Sequence, residues 1–203
     1  MKIICIGLNY RKHAIEMGSK LPEEPLVFLK PDSSILKNNK PFFLPDFSEN
    51  IQHEVEVVIK ISKLGKGISA KFAPRYFDEF TLGIDITARD LQSRLKAAGM
   101  PWEISKGFDG SAPLGSYIPV SSVKDMDNLD FRLEINNKVV QASNTSDMIF
   151  SFNQIIEYVS KFFTLKTGDL IFTGTPSGVG KLHKNDNLVA YLGDKPLLDF
   201  VIK

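Results

Sequence analysis

The chain has 203 residues, a length that predicts one domain spanning 1–203 with a hydrophobic core of its own. Lys and Arg number 25 against 24 Asp and Glu, so the net charge is only +1, and this balance argues against nucleic acid or a membrane surface as a partner. The lone cysteine, Cys5, has no intrachain disulfide partner and is predicted to pack in the core. A strand-like segment begins at Lys2 and no apolar run reaches about 18 residues, so we expect a cytoplasmic protein without targeting or membrane segments.

Short strands dominate the predicted elements of the first half. Residues 19–50 are rich in Pro, Asn and Ser, and only the pieces LVFLK and PFFL are predicted there as brief strands. The other elements, in chain order, are a strand at 2–8, a helix at 10–17, a strand at 51–61, a helix at 70–80, a strand ending at Asp85 and a helix opened by a Thr87–Asp90 capping box that ends at Ala98 before Gly99.

The second half is also mostly β. An Asn136-Asn137 turn joins predicted strands 129–135 and 138–141, a helix follows at 151–163, and a strand at 170–173 precedes a last hairpin at 187–202 that turns at Gly193-Asp194. The helix has a predicted apolar stripe that includes Phe162. Strands outnumber helices without regular alternation, so we predict an α+β fold that is mostly β rather than a doubly wound parallel sheet.

Two glutamates in IQHEVEVVIKI carry the strongest chemical indication. This segment alternates as a half-buried strand does, so Glu54 and Glu56 share one face, with backbones roughly 6.5–7 Å apart. Like charges at that spacing favour a divalent cation between them, and magnesium prefers carboxylate oxygens. The alternative for such a pair is a solvated strand face.

Asp85 would supply a third carboxylate. It follows the apolar run FTLGI at a strand end, where a buried, unpaired acid would be costly. A turn or cap residue is the alternative for Asp85 alone. Together with Glu54 and Glu56, it favours a metal site.

His13 and Glu16 are predicted to share one face of the first helix because they lie three residues apart. They form either a surface ion pair or a dyad in which Glu16 orients His13 to activate water. The polar surroundings of this helix suit a mobile lid over residues 10–20. His53 has the opposite parity to the glutamates and is expected to pack or hydrogen-bond on the far face, while His183 lies in a polar loop without a predicted role.

The glycine-rich segment 173–180, TGTPSGVG, lacks the spacing of a phosphate-binding loop, which leaves nucleotide binding as a weak hypothesis. It is equally well interpreted as an ordinary tight turn or as a loop whose N–H groups and Thr175 hydroxyl hold a small carboxylate. Lys30 and Lys106 each end an apolar run and either reach solvent or neutralise charge beside a metal-bound anion. Arg89 and Gln92 lie in the first turn after Asp85, on a helix face that is either solvated or directed at the metal's ligand.

Taken together, seven ordered segments covering nearly the whole chain resemble the fumarylacetoacetate hydrolase family, and most closely its small acylpyruvate hydrolase and oxaloacetate decarboxylase branch. The segments are GLNYRKHAIEM, VFLKP, HEVEVVI, GIDITARDLQ, GMPWEISKGFDGSAPLG, SNTSDMIFS and GDLIFTGTPSGVG. The resemblance implies a mixed β-sheet rolled on itself and edged by short helices, and a homodimer. The chain lacks the N-terminal domain of the larger family members, which puts fumarylacetoacetate itself in doubt as the substrate.

The resemblance also implies a set of site residues. These are the metal ligands Glu54, Glu56 and Asp85 for Mg²⁺ or Mn²⁺ (Ca²⁺ in crystals), the catalytic residues His13, Glu16 and Lys106, and the substrate-binding residues Lys30, Arg89, Gln92 and Thr175.

The expected activity is hydrolysis of the C–C bond of acylpyruvates, with a small 2-oxo or 2,4-dioxo acid as substrate. Decarboxylation of oxaloacetate and keto–enol isomerisation of oxaloacetate or related oxo acids are the alternatives, because both use the same stabilised enolate. A noncatalytic protein that binds a metal or an oxo acid is the alternative from another class, and an intact His13/Glu16 pair counts against it.

Overall fold

A computed structural model describes all residues, 1–203, and contains fifteen strands and four α-helices. The strands are β1 (Ile3–Gly7), β2 (Leu26–Lys30), β3 (Ile35–Leu36), β4 (Ile51–His53), β5 (Val55–Ile61), β6 (Phe77–Ile84), β7 (Thr87–Ala88), β8 (Ala112–Pro113), β9 (Ile118–Pro119), β10 (Asp130–Ile135), β11 (Lys138–Asn144), β12 (Leu170–Phe172), β13 (Gly180–Lys181), β14 (Asn187–Leu192) and β15 (Lys195–Val201). The helices are α1 (Arg11–Glu16), α2 (Arg89–Ala97), α3 (Glu103–Lys106) and α4 (Phe152–Phe162).

The predicted α+β class with strands in the majority is confirmed, and the strands are divided among four sheets. The largest sheet has the order β2-β1-β12-β5-β6-β9, and the next has the order β11-β10-β14-β15. Two small sheets, β13-β4-β7 and β3-β8, complete the set. Only β1 with β12 and β3 with β8 pair in parallel, so the fold is mixed but mainly antiparallel.

A single large hydrophobic core joins the two main sheets. It contains apolar side chains of β5, β6, β10, β14, β15 and α4, all shielded from solvent. Cys5, a residue of β1, belongs to a smaller apolar cluster and is fully buried, as expected. None of the four helices is long and apolar enough to cross a membrane.

The predicted strand 51–61 is divided at Glu54. β4 pairs with β7 and β13, whereas β5 pairs with β6 and β12, so the chain changes sheets at this residue. The expectation of a half-buried strand is wrong, because every residue from His53 to Ile59 is buried. β5 is an inner strand of a sheet whose two faces are both covered, and such strands need not alternate with water-facing residues.

Other predictions are wrong for local reasons. The helix at 70–80 is a short 3₁₀ helix at Ala70–Arg75, which contains Pro74, and β6 begins at Phe77. The capping box at Thr87 does not form, because Thr87 belongs to β7 and helix α2 begins at Arg89. The PFFL segment makes only an isolated bridge at Phe42 instead of a strand. Phe162 is exposed at the end of α4 and leaves the predicted apolar stripe.

The hairpins and the remaining helix ends agree with the predictions. Asn136 and Asn137 both take positive φ between β10 and β11, and Gly193 does so between β14 and β15. Gly99 follows α2 at φ 64°, a left-handed conformation that closes the helix. Ser151 and the Gln154 side chain form a reciprocal capping box at the start of α4.

Asp169 connects the start of β12 to the N-terminus. Its carboxylate accepts hydrogen bonds from the backbone N–H groups of Lys2 and Lys166, each at 2.8 Å, and lies 2.5 Å from Lys2 Nζ. Burial acts to raise the pKa of Asp169, but the hydrogen bonds from Lys2 and Lys166 outweigh it and lower that pKa. The parallel pairing of β1 and β12 begins beside this group.

We expect Asp169→Ala to lower the free energy of unfolding by about 1–3 kcal/mol, since buried N–H groups lose their acceptor. The contribution of Asp169 is fully present above the unfolded-state pKa, about 3.9, and is lost as the pH falls through the lowered folded-state value. Urea unfolding at pH 7 and at low pH measures both effects. The exposed Asp199, replaced by Ala, is the matched control, and equal stability of the two variants would contradict the assignment.

Candidate active site

Three buried carboxylates converge at one end of the large sheet. Glu54, Glu56 and Asp85 are each less than 5% exposed, and one carboxylate oxygen from each lies within 4.8 Å of the other two. The three residues therefore converge as predicted. Because they are buried, their negative charges must be compensated by other groups.

The sheet topology explains this convergence. Glu54 occupies the gap between β4 and β5, and Asp85 directly follows β6, the antiparallel partner of β5. The Asp85 N–H donates to the Glu54 carbonyl at 2.8 Å, which continues the ladder one step beyond the strand end. Glu56 lies two residues after Glu54, opposite Gly83, where the absence of a side chain leaves room for Val58 and Phe172.

Lys106 supplies the central cation. Its Nζ donates to Glu54 Oε2 at 2.8 Å, Asp85 Oδ2 at 2.7 Å and Thr87 Oγ1 at 2.6 Å, so all three of its donors are used. Burial acts to lower the pKa of Lys106, but Asp85 and Glu54 outweigh it and raise that pKa. For Glu54, burial acts to raise the pKa, and Lys106 and Arg89 outweigh it and lower that pKa.

Lys30 is a second buried cation behind the cluster. Its Nζ lies 2.8 Å from Asp85 Oδ1, but its donors are directed at the Lys106 carbonyl and at the carbonyl and hydroxyl oxygens of Ser111, the latter two at 3.0 Å. Asp85 Oδ1 consequently has no directed hydrogen bond. Lys30 does not border the pocket beside the carboxylates, so in this arrangement it stabilises the Asp85 charge instead of facing a ligand.

Arg89 holds the other side of Glu54. Its guanidinium donates to Glu54 Oε1, to Gln52 Oε1 at 2.7 Å and to Gln92 Oε1 at 2.6 Å. The bond to Gln92 fixes the orientation of that amide and leaves the Gln92 nitrogen, which borders the pocket, without a protein partner. Arg89 therefore orients Glu54 and Gln92, and the N–H donors used for these bonds are not offered to a ligand.

Glu56 is held by the glycine-rich loop at 173–180. The Gly174 N–H donates to Glu56 Oε2 at 2.7 Å, and the Gly178 N–H donates to Glu16 Oε1 at 2.9 Å. The loop thus binds carboxylates, as one hypothesis expected, but they belong to the protein itself. Gly174 has φ 108°, and a Cβ there would lie 2.6 Å from Cβ of Asn9, so only glycine fits. These two N–H groups of the loop are therefore already engaged by carboxylates of the protein.

The carboxylate cluster fits a divalent metal ion. Glu56 has no cationic partner within 4 Å, and Asp85 Oδ1 has no donor directed at it, although both are buried. Burial, followed by the charge of Asp85, raises the pKa of Glu56 well above its usual range, which shows that the cluster is short of positive charge there. An all-oxygen donor set suits Mg²⁺ or Mn²⁺. Glu54, Glu56 and Asp85 are the residues that would hold it.

His13 and Glu16 form the expected pair on α1. His13 Nδ1 lies 3.1 Å from Glu16 Oε2, and Glu16 Oε1 is held by Gly178. His13 is buried and, when protonated, lowers the pKa of Glu54, yet neither His13 nor Glu16 borders the pocket in this arrangement. Met17, at the end of α1, does border it. The pair is thus close to the carboxylates but not in contact with the space beside them.

The pocket lining combines charged or polar residues with apolar ones. Seven predicted site residues border the pocket together with Lys96, namely Glu54, Glu56, Asp85, Arg89, Gln92, Lys106 and Thr175. The apolar part comes from β1, β2 and the residue before α3, and it includes Phe28 and Trp102. A small acid with one polar and one less polar edge would match this lining.

Gln141 is a residue that sequence reasoning missed. Its Oε1 accepts from the Val55 N–H and faces His53 Nδ1, each at 3.0 Å, while its Nε2 donates to Thr175 Oγ1 and to the Pro176 carbonyl, each at 2.9 Å. One amide therefore links the strand segment that carries Glu54 to the loop that carries Thr175. Because Thr175 Oγ1 accepts from Gln141, its own hydrogen is free to donate into the pocket.

His53 also agrees with its prediction. It is buried, hydrogen-bonded to Gln141 and absent from the pocket lining. Burial lowers the pKa of His53, so the neutral ring is favoured. Nothing in the alternation of residues 51–61 distinguished Gln141 as its partner, since the two residues are 88 positions apart.

We expect Glu56→Gln to lower the affinity for Mn²⁺ by at least about 100-fold, since even outer-shell losses cost about 10- to 100-fold. The amide still accepts from Gly174 and leaves no cation unpaired, so the fold should be retained. Isothermal titration calorimetry with Mn²⁺ measures the effect. Glu79→Gln, at a partly exposed glutamate of β6 that is paired with Lys60, is the matched control, and equal affinity in the two variants would refute the ligand assignment.

We expect Gln141→Met and Thr175→Val each to weaken oxalate binding to the Mn²⁺-loaded protein by about 5- to 10-fold, the worth of one hydrogen bond. The double variant should lose no more than either single one, because both changes remove the same contact. Gln154→Met, which breaks the α4 capping box, should lower stability without changing oxalate affinity. Additive losses, or a Gln141 variant with normal oxalate affinity, would contradict the positioning role.

The chain is similar to several known proteins. The family model described as fumarylacetoacetate (FAA) hydrolase C-terminal matches residues 2–199. The mitochondrial oxaloacetate decarboxylase of Dictyostelium discoideum is 44% identical over 180 residues, covering 88% of this chain and 83% of that protein. The mitochondrial oxaloacetate tautomerase fahd-1 of Caenorhabditis elegans is 40% identical over 194 residues, covering 96% and 91%.

A solved structure extends the likeness to the whole fold. The crystal structure of fumarylpyruvate hydrolase from Pseudomonas aeruginosa in complex with Mn²⁺ and pyruvate matches with a TM-score of 0.94 at 33% identity, covering 100% of this chain and 89% of that one. The sequence match over nearly every residue and the shared architecture agree with the resemblance seen in the motifs. The chain belongs to the fumarylacetoacetate hydrolase family.

Proposed function

We propose that this protein is a divalent-metal-dependent enzyme acting on small 2-oxo acids, and that its principal reaction is keto–enol tautomerisation of oxaloacetate. The observation that carries the proposal is the buried cluster of three carboxylates bordering a pocket together with Lys106. Relatives at 39–44% identity named as oxaloacetate tautomerases or decarboxylases support it. Hydrolysis of acylpyruvates is the first expectation from the sequence, and the names of these relatives support placing oxaloacetate chemistry before it.

The cluster is suited to stabilising an enolate. When bound at Glu54, Glu56 and Asp85, Mg²⁺ or Mn²⁺ would supply Lewis acidity to the carboxylate and 2-oxo groups of the substrate. The Lys106 ammonium lies between Glu54 and Asp85, where it neutralises negative charge developing on a 2-oxo oxygen. The free Gln92 amide nitrogen and Thr175 hydroxyl are available to the remaining substrate oxygens.

His13 is the proposed proton-transfer residue. Tautomerisation removes a proton from C3 of the keto acid and places one on the 2-oxo oxygen, so no other atom is gained or lost. Glu16 binds His13 Nδ1, which leaves Nε2 to exchange the proton. Because His13 lies outside the pocket lining here, the proposal includes movement of residues 10–20 as a lid that brings Nε2 to the substrate.

Hydrolysis of acylpyruvates is the second candidate, and the His13/Glu16 pair favours it. In that reaction His13 would deprotonate water, hydroxide would add to the C4 carbonyl, and the C3–C4 bond would break to leave a carboxylate and pyruvate enolate. Loss of carbon dioxide from oxaloacetate requires no such water. The single domain, the lid, the homodimer and the cytoplasmic location stay predictions that rest on the family resemblance and on composition.

The test is a set of three assays on one preparation with Mn²⁺: decay of enol-oxaloacetate absorbance, pyruvate release from oxaloacetate, and acetylpyruvate hydrolysis. We expect fast tautomerisation, and we expect His13→Ala to slow it by about 10²- to 10⁴-fold, the usual worth of acid–base catalysis. His183→Ala, an exposed histidine in a loop, is the control. Tight oxalate binding without turnover of any 2-oxo acid would overturn the proposal in favour of a noncatalytic binding protein.

A further inference from the structure

One lysine beside the pocket, Lys96, is not paired with any carboxylate of the cluster. Lys106 donates all three of its protons to Glu54, Asp85 and Thr87, and Arg89 is engaged by Glu54, Gln52 and Gln92. Lys96 also borders the pocket, but it has no carboxylate within 4 Å and no hydrogen bond to the protein. Its charge is available to a ligand.

The position of Lys96 directs it at the same space as the site residues. Arg89, Gln92 and Lys96 are spaced i, i+3 and i+7 along α2, so they lie on one face of the helix. Lys96 Nζ lies 4.6 Å from the centre of the Trp102 ring, which in turn packs against Phe28 at 6.0 Å. Both aromatic side chains border the pocket, and the contact holds the ammonium at its edge.

The electrostatic surroundings of Lys96 favour an anion. Lys96 is exposed to solvent along part of its side chain, yet partial burial lowers its pKa, and the neighbouring charges of Arg89 and Lys106 lower that pKa further. A negative group placed beside Lys96 would relieve both effects. No carboxylate of the cluster lies within 4 Å of the Lys96 ammonium, so the anion beside it would come from the ligand.

We propose that Lys96 binds the distal carboxylate of a dicarboxylic 2-oxo acid whose 2-oxo end lies at the Glu54, Glu56 and Asp85 cluster. The inference rests on the proposed function and narrows it to a substrate class. Substrates with a second carboxylate, such as oxaloacetate, are preferred over acylpyruvates that end in an alkyl group. Trp102 contributes by holding the lysine stem while the head contacts the ligand.

The test compares two unreactive ligands that differ only at the distal end. Malate carries a carboxylate where 2-hydroxybutyrate carries a methyl group, and both offer the same hydroxy acid to the metal. Calorimetric titration of the Mn²⁺-loaded protein should show malate binding roughly 10- to 100-fold tighter, the worth of a charge-assisted hydrogen bond. In Lys96→Met the ratio should fall close to one, and Lys96→Arg should keep most of it.

A matched control excludes a general effect of removing a lysine. Lys161 also lies over an aromatic ring on a helix, 5.5 Å from Tyr158, but far from the pocket lining. Lys161→Met should leave the ligand ratio unchanged. The ratio in each variant is compared at equal Mn²⁺ saturation.

The outcomes separate this inference from the proposed function. A wild-type ratio near one, no binding of malate, or a Lys96→Met variant that keeps the wild-type ratio would overturn the Lys96 assignment. Equal losses for both ligands would also overturn it, since they would show a positional effect. A retained malate preference without turnover of oxaloacetate would sustain Lys96 as an anion contact and refute the catalytic proposal alone.

Discussion

The structure depends on compensating three carboxylates that are buried close together. An isolated ionised acid in a protein interior costs several kcal/mol or more, so each must be compensated by cations, by N–H donors or by both. Lys106 and Arg89 compensate Glu54, Lys106 and Lys30 compensate Asp85, and only a backbone N–H from Gly174 serves Glu56. The compensation of negative charge is complete except at Glu56. This uncompensated carboxylate makes the cluster suitable for a further cation.

The fold provides this arrangement through a change of sheet. The chain leaves β4 and enters β5 at Glu54, so the residue that ends one sheet and begins another carries the first ligand. β6 ends one residue before Asp85, and the loop after β12 brings Gly174 and Thr175 to the same place. Gln141 links two of these segments through one side-chain amide. Rigid strand ends therefore hold the polar groups, and the short helix α1, which carries His13 and Glu16, lies beside the loop that holds Glu56.

Sequence patterns predicted much of this and failed where long-range contacts decide. The Glu54, Glu56 and Asp85 cluster was predictable because strand parity and strand-end position are local properties. The burial of Lys30 was not, since its partners Asp85 and Ser111 are 55 or more positions away. Residues 70–80, predicted as a helix, show the opposite error: from Phe77 the chain belongs to β6, which pairs along both edges, and tertiary contacts override the local preference. Gln141 and Lys96 had no distinguishing motif, because their significance lies in what the fold places beside them.

The most direct measurement of the central claim is a crystal structure grown with Mn²⁺ and oxalate, with data collected at the manganese edge. The account predicts one anomalous peak bound by oxygens of Glu54, Glu56 and Asp85 at about 2.1–2.3 Å, with oxalate on its open side and Lys106 in contact with the oxalate. A peak elsewhere in the molecule, or the three carboxylates holding only Lys106 and Arg89 at saturating Mn²⁺, would contradict it.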